Sequence, residues 1–212
     1  NEMPTFTSLA SFDADENQTT IGSVTADDVD SSSITFSISG SDLALTSDGT
    51  LSFITAPDYE TKSSYSATVT ASDGDLSATQ AITVNVNNLN DNAPVFTSSA
   101  SFSSDENQTS ITTVTASDAD DSSLSFSVSG SELLITDSGA LSFASAPDYE
   151  TKSSYSATIT VSDGVASVTQ NITVSINNLN DNAPVFTSSA SFSAAENQTA
   201  IGTVTATDAD GN

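Results

Sequence analysis

Apolar and polar residues alternate with a period of two along much of the chain. Ile34-Thr-Phe36-Ser-Ile38, Leu51-Ser-Phe53, Tyr65-Ser-Ala67-Thr-Val69-Thr-Ala71 and Ile82-Thr-Val84-Asn-Val86 each place apolar side chains on one face and polar ones on the other. That is the pattern of a strand with one buried face, and the Thr that dominates the polar face is a good strand former. Turn signals separate the runs at Ser39-Gly40, Asp48-Gly49 and Asp73-Gly74. Further strands near Phe6–Phe12 and Ile21–Ala26 bring the named runs to six, and their spacing predicts about seven short strands in roughly 90 residues, an all-β Greek-key sandwich of the immunoglobulin-like kind. No stretch keeps a 3.6-residue period, so a helical fold is excluded.

The pattern then repeats. Asp-Tyr-Glu-Thr-Lys-Ser-Ser-Tyr-Ser-Ala-Thr occupies Asp58–Thr68 and again Asp148–Thr158; Leu-Asn-Asp-Asn-Ala-Pro occupies Leu89–Pro94 and Leu179–Pro184. Glu-Asn-Gln-Thr begins at Glu16, Glu106 and Glu196. A fixed period of this length marks an array of domains. The expected division is 1–93, 94–183 and the start of a third repeat at 184–212, each boundary carrying a Pro that breaks a ladder.

Charge changes the picture. Asp and Glu number 28 against two Lys plus Arg, a net charge of −26, and hydrophobic residues make up only 36%. Such a composition is also that of disordered chains, but the repeat argues for folded units whose carboxylates are neutralised by cations. Nucleic acid is excluded as a partner because no basic stripe could meet phosphates, and an anionic membrane surface is excluded likewise. There is no Cys and no His, which leaves hard oxygen ligands suited to calcium or magnesium rather than zinc or copper. No apolar run reaches a membrane span and no leader opens the chain, as expected of an internal fragment.

The acids are not scattered. They cluster at Asp15-Glu16, at Asp58-Tyr-Glu60, at Asn90-Asp91-Asn92, at Asp118-Ala-Asp120 and at Asp163. In strand order the first three belong to the lower end of one sandwich and the last two to the upper end of the next. Gathered at a junction they would repel without a metal; with calcium they offer the six to eight oxygens an ion needs.

These motifs resemble those of cadherin domains: a first-strand glutamate, Asp-x-Glu, a linker of the Asp-x-Asn-Asp-Asn type, Asp-x-Asp and a late aspartate, in order and over essentially the whole chain. The resemblance implies about three calcium ions per junction. By position, Glu16, Asp58, Glu60 and Asp91 would hold two ions with Asp120. Asn90, Asp118, Asp120 and Asp163 would hold the third, assisted by main-chain oxygens near Leu89 and Asn92. The next junction would use Glu106, Asp148, Glu150, Asn178, Leu179, Asn180, Asp181, Asn182, Asp208 and Asp210. It further implies a calcium-binding spacer or stalk in cell adhesion or a surface filament, extracellular or at the cell surface, with neighbouring repeats, self-association or a surface glycan as partners.

The chain departs from the family pattern in places. The first linker aspartate is Asn88 or Asn178, which keeps an oxygen and removes a charge. In the second repeat Asp-x-Asp continues Asp121-Ser122-Ser123, whereas the third keeps Gly211-Asn212. Asn1-Glu2-Met3-Pro4 replaces the linker upstream of Asp28, Asp30 and Asp73, which puts that junction in doubt. There is no Trp, so strand exchange through an inserted Trp does not carry over. The near-identity of the repeats and the scarcity of Lys and Arg point to a bacterial surface adhesin.

Other chemistries fit less well. Asp58 and Glu60 could be a glycosidase pair, whose carboxyls lie about 5–10 Å apart. The pair recurs in both repeats, however, with no His, Arg or Trp to orient a substrate, so no enzyme is expected. Asp208–Asn212 resembles the opening of an EF-hand loop, which needs flanking helices. Asn17, Asn107, Asn171 and Asn197 begin Asn-x-Thr tripeptides, common in a Thr-rich chain. Lys62 and Lys152 are expected to offset neighbouring acid. A carbohydrate-binding module is the alternative, but such sites stack sugars on exposed rings, and Tyr65 and Tyr155 fall on the apolar face.

Overall fold

A computed structural model describes residues 1–30, 33–120 and 122–211. Asp121 and Asn212, which follow two of the Asp-x-Asp motifs, lie outside the described residues. The described residues form two compact units, Asn1–Asp91 and Asn92–Asn212, all-β throughout.

The first unit contains β1 (Thr5–Phe6), β2 (Ser11–Asp15), β3 (Thr20–Ser23), β4 (Ala26–Asp27), β5 (Thr35–Ile38), β6 (Leu43–Leu45), β7 (Thr50–Phe53), β8 (Ser64–Ser72) and β9 (Ser77–Asn87). One sheet runs β2-β9-β8-β5 and the other β3-β7-β6, with β1 and β4 as a separate ribbon. Two strands are broken, and with the five continuous ones they make the expected sandwich. Phe6–Phe12 is not one strand: β1 pairs antiparallel with β4, while β2 runs parallel to β9, from Ser11 opposite Thr83 to Asp15 opposite Asn87. The crossing occurs where Thr7 and Ser8 both donate their main-chain N–H to Thr25 O. Ile21–Ala26 likewise divides into β3 and β4, with a register shift between Thr20 and Gly22. The short β6 carries too few residues for its alternation to register in sequence.

The core collects the inward positions of both sheets: Val24, Leu43, Leu51, Phe53, Val69, Ile82, Val84 and Val86 are buried. Tyr65 meets Phe53 edge-on, ring centroids 5.1 Å apart. The turn into β7 depends on Gly49, at φ +94°, where a Cβ would fall 2.2 Å from Val24 O. Only a residue without a side chain lets the turn approach that closely.

The second unit repeats the plan with β10 (Val95–Phe96), β11 (Ser101–Asp105), β12 (Ser110–Thr113), β13 (Ala116–Ser117), β14 (Ser125–Val128), β15 (Leu133–Ile135), β16 (Ala140–Phe143), β17 (Ser154–Ser162) and β18 (Ser167–Asn177). Its sheets are β11-β18-β17-β14 and β12-β16-β15. It ends in β19 (Val185–Phe186) and β20 (Ala206–Thr207), paired antiparallel like the ribbon that opens each repeat. The unit therefore contains both a complete sandwich and the opening segments of the following repeat.

Candidate metal centres

Glutamate is ordinarily a surface residue, yet Glu16, directly after β2, is only 2% exposed. Two main-chain donors account for this: Tyr59 N–H reaches Oε2 at 2.8 Å and Leu89 N–H reaches Oε1 at 2.8 Å. The side chain thereby joins the Asp-Tyr-Glu loop to the linker. Asp58 caps its own turn, accepting from Thr61 N–H and hydroxyl, both at 3.1 Å. Carboxylate oxygens of Glu16, Glu60 and Asp91 lie within 4.8 Å of one another. Asn17 donates its side-chain amide to Asp91 Oδ2.

The second unit builds the same set. Glu106 accepts from Tyr149 N–H and Leu179 N–H, each at 2.7 Å. Asp148 is held by Thr151, and Glu106, Glu150 and Asp181 form the matching trio. Because this unit includes Asp208 and Asp210, more of the expected ligand set is brought together. Asp210, 8% exposed, accepts from Asn182 N–H and from Asn182 Nδ2, both at 2.9 Å. That Nδ2 also stands 2.9 Å from Asp181 Oδ1 and 3.3 Å from Glu150 Oε2. One amide nitrogen, the positive end of a neutral dipole, is thus surrounded by three carboxylates. Asp208 Oδ1 accepts Asp210 N–H at 3.0 Å. The Asn that replaces the first linker aspartate acts as a donor: Asn178 Nδ2 reaches Asp210 O at 3.2 Å, a bond a carboxylate could not give.

Titration behaviour follows from this crowding. Partial loss of solvent, followed by the negative charges of Glu106 and Asp210, raises the Glu150 pKa. Asp210 is lowered, chiefly by the Asn182 amide.

The upper end of each unit carries its own acids. In the second unit Asp120, 9% exposed, accepts Asn92 N–H and Nδ2 at 2.8 Å. Asp118 Oδ1 accepts Asp120 N–H at 3.0 Å. Asp118 Oδ2 is buried with no hydrogen-bond partner among the described residues, an orphaned acceptor that a cation would satisfy. Asp163 Oδ1 accepts Val165 N–H and Ala166 N–H at 2.7 and 2.6 Å. In the first unit, Asp28 and Asp73 make the corresponding bonds, and Asp73 is lowered by the Leu76 and Asp75 N–H groups. There Glu2 N–H meets Asp30 Oδ2 at 3.1 Å. The divergent Asn1–Pro4 segment therefore keeps the main-chain contact of a linker and loses the side-chain amide that Asn92 supplies.

Leu89 and Leu179 contribute to turns through their carbonyls, which accept Asp91 N–H and Asp181 N–H at 3.1 Å. Asn88, Asn90 and Asn180 lie on the same linkers. Sequence reading missed the roles of Asn17 and Asn107, although the thrice-repeated Glu-Asn-Gln-Thr was their signal. It also misplaced the lysines. Lys62 pairs with Asp42 at 2.6 Å and lies 4.1 Å over the Tyr65 ring; Lys152 pairs with Glu132 and covers Tyr155. The acid each offsets is on another loop.

Known proteins share this architecture. A family model described as a bacterial Ig domain matches residues 90–175. Chitinase A of Pseudoalteromonas piscicida is 32% identical over 179 residues, 83% of this chain and 22% of that protein. Human Protocadherin Fat 1 is 38% identical over 149 residues, 61% of this chain and 3% of that protein. The chain thus spans a small part of either relative. Among solved structures, mouse cadherin-23 EC22-24 superposes with a TM-score of 0.77 at 25% identity, covering 99% of this chain and 78% of that one. Protocadherin gammaB7 EC3-6 gives 0.75 at 28% identity, covering 99% and 61%. With this likeness to cadherin ectodomains over 99% of its length, the chain is built of cadherin-like β-sandwich repeats.

Proposed function

We propose that the acidic clusters bind calcium and that the repeats serve as an extracellular spacer which calcium stiffens, in an adhesin or another surface or secreted protein. The observation that carries this reading is the convergence of Glu150, Asp181 and Asp210 on the single Asn182 amide nitrogen, at 2.9–3.3 Å, with Glu106 within 4.8 Å of Glu150 and Asp181. Carboxylates packed this closely call for a cation, and an all-oxygen donor set suits a hard one. The orphaned Asp118 Oδ2 supports the same reading.

In the second unit the ion would be held by Glu106, Asp148, Glu150, Asp181, Asp208 and Asp210 with linker amide and main-chain oxygens. Ninety residues earlier the same set reads Glu16, Asp58, Glu60, Asp91, Asp118 and Asp120, joined by Asp163. About three ions per junction follow from the cadherin resemblance. Calcium supplies charge neutralisation and ties linker, loop and Asp-x-Asp turn together. The similarity to part of a chitinase suits a spacer carried by an enzyme as well as one carried by an adhesin. A glycan site is not favoured, since Tyr59, Tyr65, Tyr149 and Tyr155 all pack against the cores.

Two measurements test the proposal. Millimolar calcium added to chelated protein should raise the melting temperature clearly, because extracellular modules bind at about 10⁻⁴–10⁻³ M. Small-angle scattering should report a longer maximum dimension and a narrower range of shapes with calcium. An unchanged melt refutes the calcium sites; an unchanged scattering envelope refutes the stiffened spacer.

A further inference from the structure

We propose that Asn17 and Asn107 are positioning residues that hold the linker aspartates, Asp91 and Asp181, in place for the ion. The inference rests on the calcium reading above. Among the described residues the non-glycine positions with positive φ are Asn17 at 63°, Asn107 at 65° and Asn197 at 66°. Asn tolerates this left-handed conformation better than most residues, yet its recurrence at one motif position calls for a reason. The surroundings supply one.

In an extended strand, successive side chains point to opposite faces. The left-handed turn just after β2 breaks that alternation, and two consecutive side chains then meet the same linker. Glu16 takes Leu89 N–H on Oε1, and Asn17 gives its amide to Asp91 Oδ2. The turn is anchored from behind, since Asn17 N–H donates to Pro57 O at 2.9 Å, immediately before Asp58. The second repeat is the same: Asn107 N–H to Pro147 O at 2.9 Å, and Asn107 Nδ2 to Asp181 Oδ2 at 2.5 Å.

The exposed linker aspartate faces two other carboxylates within 4.8 Å, and repulsion alone would turn it toward solvent. An amide orients it without cancelling its charge. A lysine in that place would compete with the ion. One donated hydrogen leaves most of the carboxylate's acceptor capacity available, and groups that orient metal ligands in this way commonly change metal affinity 10–100-fold when removed.

The test replaces both residues with glycine, which keeps the left-handed backbone and deletes only the amide. The chelated 212-residue chain is titrated with calcium, and its calcium-free melting temperature is measured alongside. Asn17→Gly with Asn107→Gly should weaken calcium binding about tenfold or more, with the calcium-free melt close to the parent's. Equal affinity in parent and variant overturns the inference alone. A matching fall in the calcium-free melt and in affinity assigns the asparagines a merely structural role, and overturns it too. A parent chain that takes up no calcium overturns the calcium reading, and this inference with it.

Discussion

Glu16→Gln separates the cost of gathering carboxylates from the benefit of neutralising them. Glutamine keeps the volume of a side chain that is 2% exposed, but it has one acceptor oxygen for two main-chain donors. Either Tyr59 N–H or Leu89 N–H loses its acceptor, costing about 1–3 kcal/mol. Against this, one negative charge leaves the trio. At 4.8 Å, the upper limit of their separation, two like charges repel by about 0.9 kcal/mol in a water-like dielectric and about 3.5 kcal/mol at an effective value near 20. Glu60 and Asp91 are exposed, so screening favours the lower figure, and two such pairs return about 2 kcal/mol.

The metal-free protein should therefore change little, within about 1 kcal/mol either way. The calcium-bound protein should not. A site at a hundred times its dissociation constant stabilises by about 2.7 kcal/mol, and a hundredfold weaker site at the same calcium concentration by only about 0.4 kcal/mol. Combining Glu16→Gln with Glu106→Gln removes the hub from both repeats. Urea unfolding with chelator and with calcium should show similar metal-free curves and a nearly vanished calcium increment. A full calcium increment in the double variant would refute the argument. So would a metal-free variant that fails to fold, since repulsion would then be negligible beside the lost hydrogen bond.

Asp120→Ala removes the acceptor of both Asn92 donors and should lower the calcium bound in equilibrium dialysis. Ser125→Ala, whose hydroxyl donates to Ser162 O at 3.3 Å, should leave it unchanged. Without metal, the protein should melt higher at pH 5 than at pH 7.5. The raised Glu150 contributes stability at low pH that is lost as pH rises through its folded value. The lowered Asp73 and Asp210 contribute stability above the ordinary aspartate value of about 3.9, lost only as pH falls below it. Saturating calcium should reverse the order, because protons and calcium compete; a metal-free melt that rises with pH would contradict this assignment. Gly49→Ala places a Cβ 2.2 Å from Val24 O at φ +94° and should destabilise by about 2 kcal/mol or more, read as an earlier urea midpoint. Lys62→Met should cost only about 1 kcal/mol, since the ion pair is exposed and the ring contact modest; a loss of several kcal/mol would give that lysine a larger role.

Period-two alternation found β5, β7, β8 and β9 because each presents enough inward positions to outweigh local noise. It could not find the break between β1 and β2, since leaving one sheet for another is a matter of hydrogen-bond partners and changes no hydropathy. The short β6 escaped for want of length. The acidic residues of the candidate centres were legible from the repeat and from their resemblance to cadherin motifs. Their internal wiring was not. Glu16 is buried because of two main-chain donors that are 43 and 73 residues away in the chain, a dependence that no local pattern records. Asn178, read in sequence as an oxygen ligand, also donates through Nδ2 to Asp210 O, and residue type alone does not say what that end of the amide meets.

The parallel pairing of β2 with β9 has a mechanical side. Tension along a chain of repeats enters each sandwich through β1 and β2 and leaves by β9, and here β2 and β9 lie side by side pointing the same way, Ser11 by Thr83 to Asp15 by Asn87. Pulling on opposite ends of parallel neighbours slides one along the other. The rungs of that ladder, and the Asn87–Asp15 side-chain bond at 2.9 Å beside them, then share the load and must give way together. An antiparallel pair joined at one end would instead open rung by rung. Stretching a single molecule should accordingly give abrupt, high-force unfolding steps, and low, gradual ones would show that the load takes another path. The strand that changes sheets early in each repeat thus does more than complete two sheets, for it turns the ends of the domain into a lap joint.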